Sequence, residues 1–114
     1  MSRPEDCDAF PIEHRLEQRA FMREQAIRRN EEAAQRLNEL TDTAARQGQL
    51  GAPPEFACEC GRSDCLERLE ISVPEWRAVD RVQGCYVVAP GHVFPDIEDV
   101  IRRTERFQVV SKRP

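Results

Sequence analysis

From Glu13 to Gln47 the chain holds no glycine and no proline and is dominated by Ala, Glu, Gln, Arg and Leu. These are strong helix formers. Gly48, Gly51, Pro53 and Pro54 then break the run. The pattern predicts one long helix, roughly 50 Å end to end at ~1.5 Å per residue. Its apolar stripe is weak. A 3-4 spacing selects Leu16, Ala20, Arg23, Ile27, Asn30, Ala34, Leu37, Thr41 and Ala44, of which only Leu16, Ile27 and Leu37 are large and apolar. A second register, Ala33, Leu37, Leu40 and Ala44, serves the C-terminal half better. A coiled coil needs sustained apolar seam positions, which this helix lacks. It could pack on the following domain, pair with a second copy, or dock in a partner's groove.

After a linker at residues 48–55 the pattern shortens. Leu69 to Val73 alternates apolar and polar, the signature of a strand. Ser72-Val73-Pro74-Glu75 has the form of a capping box, with a hydroxyl at the N-cap and a carboxylate three residues on. A short helix should follow, with Trp76, Val79 and Val82 inward and Gly84 at its end. Cys85 to Ala89 and Phe107 to Ser111 are β-rich, and Pro90-Gly91 signals a turn. Asp96 to Thr104 reads as a short helix with Asp96, Glu98 and Asp99 near its positive end.

The predicted fold class is therefore α+β. An acidic tail expected to be disordered (residues 1–12) and the long helix (13–47) precede the linker. A small domain (56–114) follows, with a three-stranded sheet and one or two short helices. That domain has fewer than sixty residues, and domains this small commonly need a metal or disulfide staple.

Charge narrows the functional classes. Seventeen basic residues against twenty-one acidic give a net charge of −4, which argues against general binding to nucleic acid or anionic membrane. No apolar run approaches the ~20 residues of a membrane span. The first residues carry no basic region followed by an apolar stretch, so no signal peptide is expected. Sixteen of the seventeen basic residues are Arg, leaving Lys112 as the sole lysine. Codon bias accounts for this simply.

There are five cysteines: Cys7, Cys58, Cys60, Cys65 and Cys85. An odd count without an export signal fits a disulfide framework poorly and suggests a reducing cytoplasm. Three of them fall within eight residues, Cys58-Glu59-Cys60-Gly61-Arg62-Ser63-Asp64-Cys65. In an extended segment, side chains at i and i+2 point to the same side, so Cys58 and Cys60 can face one ion. Gly61 lets the chain turn, and Cys65 can return to the same centre. Structural zinc takes four ligands in a tetrahedron. His92, just after the Pro90-Gly91 turn, is the expected fourth, with Cys85 as its competitor. Thiolate-rich sites also suit iron–sulfur clusters, so spacing alone leaves the metal open between zinc and iron.

Four segments together resemble a recurrent small domain of actinobacterial proteins. They are Phe56-Ala57-Cys58-Glu59-Cys60-Gly61 with Cys65, Ile71-Ser72 with Glu75-Trp76 and Val79, Tyr86 to His92, and Val109 to Lys112. Arg29-Asn30-Glu31 and Asn38-Glu39 resemble the Asn-Glu pairs of that group's leading helix. The resemblance spans roughly residues 28–112 and carries no activity. It implies that the three cysteines and His92 are the recurring polar features, and that the position of Cys85 is ordinarily aromatic or apolar, which favours His92 as fourth ligand. Trp76 stands where Tyr is usual, and Val73-Pro74 alters the capping segment.

Little else suggests catalysis. The glycines form no phosphate-cradling loop, and three Cys plus one His would fill a zinc shell that catalysis needs open. The expected function is a zinc-binding protein-interaction or regulatory module, with zinc structural and the helix as docking or dimerisation element. The alternatives are a thiol-based redox or metal sensor, and a small enzyme or iron–sulfur electron carrier. Candidate partner contacts, to a protein not identified by the sequence, are Asn30, Glu31, Asn38 and Glu39 on the helix. Arg102, Arg103 and Arg106 in the basic C-terminal end are further candidates.

Overall fold

The computed structural model describes residues 12–48, 53–79 and 84–113. The expected tail, part of the linker, Cys7 and Val82 lie outside them. The fold is α+β. Helix α1 spans Ile12–Arg46. Two short strands, β1 (Phe56–Ala57) and β2 (Arg68–Leu69), pair antiparallel with Phe56 opposite Leu69. Helix α2 is one turn, Val73–Arg77. Strands β3 (Cys85–Val88), β4 (Glu98–Arg103) and β5 (Gln108–Lys112) form an antiparallel sheet in the order β3-β5-β4.

Local chemistry explains most of these elements. The capping box at α2 is complete: the Glu75 amide donates to Ser72 Oγ at 3.2 Å, and the Ser72 amide donates to Glu75 Oε1 at 3.0 Å. Pro74 fits the first turn, where its missing N–H has no partner to lose. Trp76 is buried and stacks on Phe56, centroids 5.0 Å apart. Phe56, Val87, Val88, Phe107 and Val110 are fully enclosed and form the centre of the core.

Two expectations need correction. The strand expected at 69–73 is only the two residues of β2, because Ser72 leaves it to cap α2. The helix expected at 96–104 is strand β4. Its β-branched Val100 and Ile101 suit a strand, and its backbone pairs with β5 from Glu98 opposite Lys112 to Arg103 opposite Gln108. A bulge between Val100 and Arg102 turns Ile101 outward. The acidic residues taken for a helix start instead serve three ion pairs. Asp96 meets Arg23, Glu98 meets Lys112 and Asp99 meets Arg113.

Helix α1 docks on the small domain through a polar face. Its buried side chains are Ile27, Glu31, Asn38 and Asp42, a 4-7-4 spacing that follows one side of the helix. Gln35 completes the row by donating to the Cys85 carbonyl at 3.4 Å. At the upstream end Arg23 pairs with Asp96 at 2.8 Å, and at the downstream end Asp42 accepts from Arg77 at 2.7 Å. Leu16, Phe21, Met22, Leu37 and Leu40 stay exposed. Of the stripe's large apolar residues only Ile27 packs, while Leu16 and Leu37 stay out, and the rest of the buried row is polar. No helix among the described residues is long and apolar enough to cross a membrane.

Candidate metal centre

Three stretches of chain converge beside α1. Downstream of β1, Cys58, Glu59 and Cys60 continue extended along β3: the Cys58 amide donates to the Glu67 carbonyl and the Glu59 amide to the Val87 carbonyl. Alternation then puts the two thiols on one side and the Glu59 carboxylate on the other. The loop returns Cys65 through a turn closed by its amide on the Arg62 carbonyl. After β3, Ala89-Pro90-Gly91-His92 forms a turn in which the His92 amide donates to the Ala89 carbonyl at 3.0 Å. Gly91 has φ +83°, the left-handed conformation that a type II turn places third, after proline. This turn aims His92 at the cysteines.

The ligand atoms of Cys58, Cys60, Cys65 and His92 all lie within 4.8 Å of one another. His92 Nδ1 is 3.6 Å from both Cys58 Sγ and Cys65 Sγ. Zinc–sulfur bonds of about 2.3 Å and zinc–nitrogen bonds of about 2.0–2.1 Å in a tetrahedron imply an S···N edge of about 3.6 Å. The four residues therefore fit a tetrahedral metal ion. Cys85 is not among them; it is buried in β3 opposite Ser111.

The surroundings tune the thiols. The Ala89 amide donates to Cys58 Sγ at 3.1 Å. A hydrogen bond from Cys58 draws Cys60 down to about 5, while that same interaction and burial push Cys58 up. Burial raises Cys65. One thiolate is thus available near neutral pH. The remaining thiols lose their protons when a cation replaces them, since the thiolate is the binding form.

Helix α1 braces this loop directly. Asn30 Nδ2 donates to the Gly61 carbonyl at 2.8 Å. Gly61 lies against Ile27, whose Cγ2 would be 2.2 Å from an added Cβ. Glycine is required there for close approach to the helix.

The candidate partner contacts are distributed differently. Asn30, Glu31 and Asn38 are committed within the chain, and Glu39 is exposed. Arg102 and Arg106 lie over the Phe107 ring at 5.5 and 5.4 Å. Arg106 also pairs with Glu75 at 2.7 Å, and Arg103 is exposed.

Two groups went unrecognised in the sequence. Glu59 is fully buried and accepts from the Val87 amide, Asn38 Nδ2 and Trp76 Nε1 at 2.9–3.1 Å. The Cys-Glu-Cys alternation carried that signal, because thiols facing a metal send the intervening carboxylate inward. Lys112, the sole lysine, is buried with Nζ 2.9 Å from both Glu31 and Glu98. Burial raises Glu31 to about 7, although the neighbouring Lys112 opposes the shift.

No family model, curated protein or solved structure matches the chain.

Proposed function

We propose that this chain is a cytoplasmic interaction or regulatory module whose small domain is stapled by one structural zinc ion held by Cys58, Cys60, Cys65 and His92. The observation that carries this reading is the convergence of four ligand atoms within 4.8 Å, with the separations of Cys58 and Cys65 Sγ from His92 Nδ1 at the tetrahedral edge. Zinc would supply the folding energy that so small a core lacks. Four protein ligands fill the shell, which fits a structural role. The reducing compartment and the kinship with the actinobacterial domain belong to the same proposal.

Native mass spectrometry of the untagged protein, before and after acidification, tests it. One zinc lost together with the folded charge states supports the staple. Visible absorbance near 400 nm at about the level of one cluster replaces zinc with iron–sulfur. A thiol-based sensor is the second reading, favoured by the half-exposed position of Cys65. In that case peroxide at low dose releases the metal, whereas structural thiolates resist it.

A further inference from the structure

A groove of about 300 Å³ runs between α1 and the cysteine loop. Ala33, Ala34 and Leu37 of the helix, with Ala57 and Leu66, give it an aliphatic lining; Cys58, Cys60 and Cys65 of the candidate metal centre line it too, as do Asn30, Ser63, Arg62 and Arg68. Leu66 is 86% exposed and Leu37 51%. At that exposure Leu66 gains little from the fold of its own chain, and Leu37 leaves about half of its surface in water.

Apart from the cysteines, the ionisable side chains that line this groove are both arginines, Arg62 and Arg68. Arg29, Arg36 and Leu40 lie at i−4, i+3 and i+7 from Ala33, so they extend the helical wall outward. Leu40 is 68% exposed. Arg29, Arg36 and Arg68 are exposed and form no ion pair among the described residues. Of the loop's charged residues, the two arginines line the groove and Asp64 and Glu67 do not. Glu32 and Glu39 lie further round the helix. A chain of net charge −4 thus gathers arginines that form no ion pair among the described residues around exposed aliphatic surface.

We propose that this groove receives a short acidic segment of another protein, with apolar side chains on the aliphatic lining and carboxylates on the arginine rim. This rests on the reading of the chain as an interaction module and adds the chemistry of its partner. Arginine matches a carboxylate with a planar pair of donors. Pairing with a second copy through the same face would oppose arginine to arginine, which complementarity disfavours. Single-stranded nucleic acid is disfavoured because no aromatic side chain lines the groove for base stacking.

The test uses the zinc-loaded full chain and three sets of short synthetic peptides. One set carries Leu, Phe or Met flanked by Asp and Glu, one carries the same apolar residues flanked by Lys and Arg, and one is acidic with Ser replacing the apolar residues. The acidic apolar set should bind at least about tenfold more tightly than either other set, and more weakly as salt rises. Arg36→Glu with Arg68→Glu should shift preference to the basic set. Leu66→Ser should weaken binding severalfold. All three positions are exposed, so folding is retained, and circular dichroism checks it. Equal binding of the three sets overturns the proposal. So does displacement of the acidic peptides by oligothymidylate, or a dimer that Leu40→Glu dissolves. Metal-stripped protein is run in parallel. If it stays folded and still selects acidic apolar peptides, the zinc staple fails and the groove stands. If the folded zinc form shows no selection, the groove fails and the staple stands.

Discussion

Asn38, about two turns before the C-terminal end of α1, reads the backbone of Ala57 as a neighbouring strand would. Its Nδ2 donates to the Ala57 carbonyl at 2.9 Å, and its Oδ1 accepts from the Ala57 amide at 2.8 Å. Nδ2 also reaches Glu59 Oε2 at 2.9 Å. One fully buried side chain therefore satisfies both backbone groups of Ala57 and part of a buried carboxylate. Ala57 immediately precedes the first cysteine of the candidate metal centre, so the helix and the site share this clasp.

Asn38→Ala should destabilise the protein by about 2–4 kcal/mol, because it leaves buried donors and acceptors without partners. Asn38→Asp should cost more, since it removes the donor and sets a second carboxylate against Glu59. Urea unfolding of the zinc-loaded proteins measures both. A loss within about 0.5 kcal/mol, the range of ordinary surface changes, would refute the clasp.

Replacing a ligand should abolish stoichiometric metal binding. Cys65→Ser or His92→Ala is expected to weaken zinc by more than the 10–100-fold typical of outer-shell changes. Cys85→Ala should leave one metal per chain, because Cys85 lies outside the cluster. Competition with a chromogenic chelator reads the affinities. Metal loss in Cys85→Ala with retention in His92→Ala would reverse the assignment of the fourth ligand.

Gly61→Ala should disrupt the docking of α1 on the cysteine loop. The new Cβ would meet Ile27 Cγ2 at 2.2 Å, and Ile27 Cα and Cβ at 2.9 Å. A loss of about 2 kcal/mol or more is expected from such overpacking. Ile27→Ala in the same chain removes the Cγ2 contact but not those to Cα and Cβ, so rescue should be partial. Denaturation of the four proteins of the double-mutant cycle shows whether the two sites couple.

The Glu31–Lys112–Glu98 cluster predicts a pH dependence of defined sign. Burial raises the Glu31 carboxyl from 4.5 to about 7, so the folded state holds a proton that the unfolded chain releases. The associated stability is full below pH 4.5 and fades as pH rises through about 7, on the order of 3 kcal/mol in total. Glu31→Gln should lose that slope and be at least as stable as the parent at pH 8. Parallel denaturation at pH 5, 6.5 and 8, with buffered free zinc, isolates the difference between the proteins. A variant that keeps the parent's slope would assign the effect to other groups.

The sequence by itself determined the features whose causes are local. The Gly- and Pro-free run made α1, and Ser72 with Glu75 made the cap of α2. Strand alternation put Cys58 and Cys60 on one side, and the Pro90-Gly91 turn aimed His92. Only the tertiary structure decided which face of α1 packs and what Asp96 to Thr104 becomes. The packed face carries Glu31, Gln35, Asn38 and Asp42 beside Ile27, so of the large apolar positions only Ile27 marked it; polar side chains became buried because Lys112, Ala57 and Arg77 supply their partners. The 98–103 segment carries charges that suit a helix start when read alone. Backbone pairing with β5 and ion pairs to residues distant in sequence outweigh that preference, and such non-local partners exist only once the chain has folded.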